Sequence, residues 1–434
     1  MKDRRIFTLI LTVFIDLIGF GIVIPILPIL TKNIATRSGF PLGPDMAIGA
    51  IIFCFAIMQF IFSPLLGSLS DRIGRRPIIL GSILVTALGY FMLGFGQTLW
   101  MLFIARIVSG IGSANISAAQ AYIADITPPH DRAKRMGLIG AAFGFGLIIG
   151  PPLGGWIFEL GKHTFTIGTA VVEKGITSYP DGGLRLVGFF TAGLCLINFV
   201  MAYFTITESL DTKNADKRKF FQSFEGLVTV WKVPVLSELF MINFLYIAAF
   251  MMMQIISSVM WKEKYGISEA AIGNIFGFMG LCSAIIQGGL IGIFQKRIGV
   301  LRMLVIGCPL VAVGISMVPW PSQAWFYPVQ LFSIVLLTLG NGLLMPSINA
   351  LVSINTAPEN QGKTLGALQS LGSLARALGP LLSTFLYGIY MQLPYMVAGV
   401  LMIIAFMVAL KLTRQIRNED EPVAEVAAET AEIK

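Results

Sequence analysis

The sequence predicts an all-α polytopic membrane protein: twelve transmembrane helices, arranged as two six-helix halves in pseudo-twofold repeat. Three observations predict it. The 434 residues are 56% hydrophobic and only 12% charged, with a mean hydropathy of +0.80. Soluble domains carry about 25% charged residues, so a soluble enzyme of this length would lack the polar surface it needs. The same apolar content excludes intrinsic disorder. Next, the chain holds twelve apolar runs, each near the ~20 residues that cross a bilayer. Finally, it repeats itself between its halves.

The spans fall at 6–30, 46–66, 77–96, 99–122, 135–158, 185–207, 236–260, 268–294, 301–319, 325–351, 364–389 and 393–412. The first follows Lys2, Arg4 and Arg5 like a signal peptide, but it runs on without an A-x-A site into Pro25 and Pro28. It therefore reads as a retained span. An even count puts both termini on one side. Twenty-two basic residues fall on the segments of that side and seven on the other. The positive-inside rule then makes both termini cytoplasmic, and the expected location is the cell's inner (plasma) membrane. The net charge of +8 is thus topological and implies no nucleic-acid partner.

The domain reading follows. Residues 1–207 form the N-terminal half, 208–235 a cytoplasmic linker, 236–412 the C-terminal half, and 413–434 a disordered acidic tail. The linker ends in FFQSFEGLVTVWK, which suits a short surface helix. The outward loop 159–184 has no assigned role. Cys54, Cys195, Cys282 and Cys308 sit scattered in apolar runs, and His130 and His163 lie apart in loops. No metal site and no disulfide framework is indicated.

The repeat is specific. Gly67, Arg72, Ile73 and Gly74 meet Gly292, Arg297, Ile298 and Gly299 at a shift of 225. Thr127, Pro129, Lys134, Gly137, Gly150 and Pro151 meet Thr356, Pro358, Lys363, Gly366, Gly379 and Pro380 at a shift of 229. Parallel six-span repeats place a site near midplane between the halves, where rocking can alternate its access.

Four segments carry the chemistry. GSLSDRIGRRP, residues 67–77, joins spans two and three. Gly67 and Gly74 permit a tight turn, Asp71 suits an opposing helix N-terminus, and Arg72, Arg75 and Arg76 can bridge acids or lipid phosphates. A plain topogenic loop would explain the arginines but not the Gly and Asp spacing. GFGLIIGPPLGG, residues 144–155, repeats glycine at Gly146, Gly150 and Gly154, followed by Gly155. That is a close-packing seam, and Pro151 can kink it. Span one places Asp16 about ten residues in, about 15 Å deep at 1.5 Å per residue. Such an acid marks a proton or substrate path, or else is tied to a neighbouring helix. Span four, ARIVSGIGSAN then AYIAD, buries Arg106, which needs a partner. Asp16 is the acid at comparable depth in that half. A proton switch and a static ion pair both fit that pairing. Asp125, at the mouth of the span, is expected to meet Arg72 or Arg75.

These segments resemble the major facilitator superfamily over about residues 6–412, most closely the drug/proton antiporter branch of the tetracycline-exporter type. The resemblance implies the major facilitator fold. It implies a cytoplasmic gate at Gly67, Asp71, Arg72, Gly74, Arg75, Arg76 and Asp125. It also implies an antiporter motif at Gly146, Gly150, Pro151, Gly154 and Gly155, and proton coupling through Asp16 and Arg106. Lys296 stands where the first half has Asp71, so the gate is asymmetric. Tetracycline exporters also carry an acid in span three, and ILGSILVTALGYFMLGFG has none.

The substrate cavity is assigned to Asn115, Gln120, Asn243, Gln254, Asn341, Gln369 and Arg376. Amides of this kind also hold helices together. An arginine facing the cavity favours a substrate of anionic or enolate character.

The expected function is export of a small amphipathic or drug-like compound in exchange for protons, by a monomer with no cofactor beyond the proton gradient. A same-fold importer or metabolite transporter, and a non-transporting receptor, are the alternatives. An enzyme is not expected, since HExxH and GxSxG are absent. APENQGKT, residues 357–364, misses a P-loop by its first residue and follows a membrane helix, so ATP is not implicated.

Overall fold

The computed structural model describes residues 2–127, 142, 145–146, 148–162, 182–209, 233–356 and 361–432. Every regular element among them is helical. In order these are α1 (Lys2–Val23), α2 (Leu27–Ser38), α3 (Pro44–Ile73), α4 (Arg75–Gly94), α5 (Leu99–Gly112), α6 (Ile116–Ile126), α7 (148–162) and α8 (Gly182–Thr205). The second half holds α9 (Pro234–Tyr265), α10 (Glu269–Ile285), α11 (Ile291–Ile298), α12 (Val300–Met317), α13 (Phe326–Ile354), α14 (Gln361–Ile389) and α15 (Leu393–Glu432).

Among the described residues, nine helices are long and apolar enough to cross a membrane, and the bent pair α1–α2 makes a tenth. The other two expected spans are α7, most of whose earlier part lies outside the described residues, and α14. The latter has the length, at 29 residues, but spends several positions on Gln, Ser and Arg.

Two expectations need correction. Span one does not end near residue 30: the chain bends by 44° and continues as α2 to Ser38. Pro25 and Pro28 are the cause, since each lacks an N–H and the ring disfavours helix in the residue before it. The helix α15 runs on past residue 413 to Glu432. Its AEVAAETAE stretch is rich in Ala and Glu, the strong helix formers. Span four is not one regular α-helix either, because a 3₁₀ turn at Ser113–Asn115 separates α5 from α6. The expected linker helix and most of loop 159–184 lie outside the described residues, as do both histidines.

Each half has its own apolar core. One, built on α1–α8, includes Leu9, Ile22, Tyr90, Tyr122 and Phe158. The other, built on α9–α15, includes Phe240, Met252, Trp261, Phe326 and Tyr395. Ile29 and Ile48 of the first half join the second core.

The repeat is visible in the backbone. Gly74 (φ 105°, ψ 153°) separates α3 from α4, and Gly299 (φ 80°, ψ 156°) separates α11 from α12. Such positive φ is strained for any residue with a Cβ, so both repeats need glycine at this turn. The turns lie on the face where α1 begins, the terminal face. The α2–α3 turn and the start of α10 lie on the opposite, distal face.

Candidate functional site

Asp16 is the centre of the first half. Its two carboxylate oxygens accept from two amides: Asn115 Nδ2 at 3.1 Å and Asn198 Nδ2 at 3.2 Å. Asn115 sits on the 3₁₀ turn, which re-aims the chain in mid-span. Asn198 comes from α8 and is fully buried. It also donates to the Thr12 carbonyl at 3.1 Å, and its own Oδ1 is unpartnered. Asn198 was not among the expected residues. A lone amide in the run LCLINFVMAY has no spacing to mark it.

Arg106 does not pair with Asp16. It lies over the Phe55 ring, 4.0 Å from the centroid, and Nε and Nη1 have no hydrogen-bond partner. Tyr90 of α4, fully buried, sits beside the guanidinium and within electrostatic range of Asp16. The geometry therefore replaces the expected ion pair with a cation on an aromatic face and an acid held by neutral donors. Phe55 is stacked against Phe20 of α1, with centroids 5.8 Å apart. Arg106 and the Asp16 helix thus share an aromatic contact.

The loop at 67–77 folds around Arg75. Its guanidinium meets Asp71 at 2.5 Å, Asp125 at 3.1 Å and Ser70 Oγ at 2.6 Å. Asp125 therefore pairs with Arg75 rather than Arg72. Arg76 donates to the Tyr203 carbonyl at 2.9 Å and lies over that ring. The acceptor at the α4 N-terminus is not Asp71. Glu208 takes that place, accepting from the backbone N–H of Arg75 at 2.9 Å and Arg76 at 3.2 Å. A carboxylate suits the positive end of the helix dipole. A Cβ on Gly74 would stand 2.4 Å from the Glu208 Oε2. Glycine there serves the contact as well as the turn.

The helix of the glycine motif has two faces. Gly146, Gly150 and Gly154 lie against Leu17, Gly21 and Ile22 of α1, so close that any Cβ would meet backbone or Cβ atoms below 3 Å. The other face, Ile148, Pro151, Pro152 and Gly155, packs on α10 of the second half, against Gly273, Gly277, Gly280 and Glu269. One helix therefore joins the Asp16 helix to the opposite half.

The distal face carries further bridges between the halves, which were not anticipated. Lys32 of α2 lies 2.6 Å from Asp45 and 2.6 Å from Glu263 of α9. Glu263 also accepts from the Tyr387 hydroxyl at 2.9 Å. Buried Glu269 of α10 meets Lys162 at 2.9 Å and Lys262 at 3.2 Å. Gly49 of α3 packs on Pro380, Leu381 and Thr384 of α14 nearby.

In the second half Arg376 of α14 donates to Ser373 Oγ at 2.9 Å. Asn243 and Gln254 are buried in α9. The Tyr246 hydroxyl donates to Asn341. Gln369 and Gln120 are exposed. A separate groove of about 750 Å³ lies at α12 and α15, lined by apolar residues such as Pro309, Val313, Trp320 and Phe406. It touches neither Asp16 nor Arg376, and its walls suit acyl chains rather than a polar substrate.

Two sets of packed, membrane-length helices around buried charge suit a membrane transporter. The family model of the Major Facilitator Superfamily matches residues 9–380, and the chain belongs to that superfamily. It is 30% identical over 399 residues to the class C tetracycline resistance protein of Escherichia coli, covering 89% of this chain and 91% of that protein. It is 27% identical to Multidrug resistance protein 2 of Bacillus subtilis, covering 93% and 94%. Among solved structures it resembles the human organic anion transporter MFSD10 (TETRAN), with a TM-score of 0.67, 22% identity and coverage of 94% and 99%. It also resembles an inward-facing, unoccupied bacterial homolog of the lysosomal transporter Spinster, with a TM-score of 0.74, 15% identity and coverage of 95% and 97%.

Proposed function

We propose that this transporter exports a small amphipathic compound in exchange for protons, by alternating access. The observation that carries the reading is Asp16. An intramembrane acid held by two neutral amides and no cation can take up and lose a proton without breaking an ion pair. The relatives, named as tetracycline and multidrug resistance proteins, favour export of drug-like molecules.

With the termini cytoplasmic, the distal face is the outer one. The cross-half contacts of Lys32, Glu263, Glu269, Gly49 and the Pro151–Gly155 surface all lie there or toward midplane. The outer side is therefore closed, and substrate enters from the cytoplasm. Rocking then separates those bridges, the acid loads a proton from outside as substrate leaves, and the return brings the proton in. Arg75, with Asp71 and Asp125, organises the cytoplasmic gate within the first half.

The test uses everted vesicles with an acidic lumen, offered tetracycline and 2-naphthoate. Accumulation driven by the gradient is expected in the wild type and is lost in Asp16→Asn. Accumulation that persists in Asp16→Asn contradicts the proposal. Accumulation that requires the opposite gradient identifies an importer instead.

A further inference from the structure

The groove of about 750 Å³ at α12 and α15 lies on helices of membrane-crossing length, so what it meets in a bilayer is lipid. It runs along the α12 segment from Trp320 at the distal end to Pro309. Those eleven positions span about 16 Å at 1.5 Å per residue, one leaflet of a hydrocarbon core about 30 Å thick. Ala312 and Met402 are buried and form its floor, while Val313 and Ile403 are half exposed and form its sides. A second groove of about 320 Å³ shares Pro309, Val313 and Phe406 with it and continues toward Val305.

The first half closes the corresponding seam. There α4 and α8 meet with Gly188 on the Gly94 backbone. The Phe189 ring covers Gly94, and Phe91 and Phe95 pack on that ring with centroids 5.4 and 5.0 Å away. The groove is therefore a property of the second half and not a consequence of the repeat.

Its distal mouth carries a cation. Lys264, at the end of α9, is exposed, and its Nζ donates to the Pro319 carbonyl at 2.7 Å, next in sequence to Trp320. No carboxylate of a described residue pairs with it. An ammonium has three donors, so Lys264 keeps N–H groups for an outside anion. Trp320, Trp325 and Tyr327 are exposed on the turn beside it, and exposed Trp and Tyr of this kind mark the head-group level of a membrane.

We infer that this groove is a binding site for an anionic phospholipid of the distal leaflet, with its phosphate on Lys264 and one acyl chain laid along α12 to Pro309. The chain occupies the gap that the side chains of α12, α13 and α15 leave open. The site stands apart from Asp16, and the inference does not depend on the export reading.

The experiment titrates purified full-length protein in detergent micelles with phosphatidylglycerol and with phosphatidylcholine of the same acyl chains, and reads the melting temperature. The two lipids share phosphate and chains and differ in net charge. Phosphatidylglycerol should half-saturate the shift at a mole fraction about tenfold lower, as expected for one charge-assisted contact. Lys264→Gln should erase that preference while both lipids still bind. Val313→Trp, which fills the groove from its exposed side, should weaken both lipids by about tenfold or more. Ile404→Trp, equally bulky but outside both grooves, should bind as the wild type does. All three replaced side chains are exposed, so the variants should fold. Equal half-saturation by the two lipids in the wild type, a preference that survives Lys264→Gln, unchanged binding in Val313→Trp, or equal weakening by Ile404→Trp overturns the inference.

Discussion

Asn198 connects the Asp16 carboxylate to the α1 backbone at Thr12, so it fixes where the acid points as well as what it bonds. Replacing it by Ala removes one of two donors to that oxygen pair. Hydrogen bonds to charged groups are worth about 1.5–3 kcal/mol. Gradient-driven transport by Asn198→Ala should therefore fall by about tenfold or more, with protein yield largely kept. Unchanged transport would show that Asn115 alone positions the acid. Arg75 makes a different prediction. It is buried and ties Asp71, Asp125 and Ser70 together. Arg75→Ala leaves two partly exposed acids facing one another. Solvent screens them, so the loss should be modest, about 1–2 kcal/mol in an unfolding titration. Arg72, without a role in that knot, should tolerate Ala. Residue identities of this kind were partly legible beforehand. Asp16, Arg106 and Arg75 stand out because charge is rare in such a chain or recurs at motif spacing. Asn198 and Tyr90 do not, because a single amide or phenol in an apolar run looks like any packing residue until the fold places it.

Elements were legible where apolar length decides and obscure where backbone detail does. The span pattern located α3, α4, α8, α9, α12 and α13 closely. It could not place the 44° bend after Val23 or the 3₁₀ turn at Asn115, since both arise from local backbone geometry rather than hydropathy. The apolar run at 364–389 also located α14, although its Gln, Ser and Arg lower its hydropathy. The glycine seam offers the sharpest element-scale test. A Cβ on Gly154 would come 2.1 Å from the Ile22 carbonyl oxygen, and backbone cannot move aside as a side chain can. Gly154→Ala should destabilise by about 1–3 kcal/mol or more, read as a lower melting temperature of the purified protein. Gly193→Ala, with nothing within 4 Å, is the control and should be neutral. Equal melting temperatures for the two variants would show that α1 and the motif helix can separate freely.

At the scale of the molecule the distal bridges decide which side is closed. Lys32, Asp45, Glu263 and Tyr387 form one cluster across the halves, and Glu269 with Lys162 forms another. The sequence alone pairs none of these residues, because what matters is that they face each other from different halves. Each partly exposed pair is worth about 0–1 kcal/mol, so a single substitution should shift the conformational balance by a few-fold rather than trap it. Spin labels at Arg37 and Ser322, on a background lacking the four cysteines, should report a larger fraction of long distances in Glu263→Gln. A combined Glu263→Gln, Glu269→Gln variant should shift it further. An unchanged distribution in the double variant would mean that apolar contacts such as Gly49 on Leu381 hold the distal side alone.

Proton exchange through Asp16 is the central claim, and lumenal pH tests it most directly. Acid-lumen everted vesicles carrying a lumenal pH dye should show alkalinisation when substrate is added outside. In Asp16→Asn vesicles, with 2-naphthoate binding retained, the signal should be absent. Alkalinisation of equal size in Asp16→Asn would contradict the account.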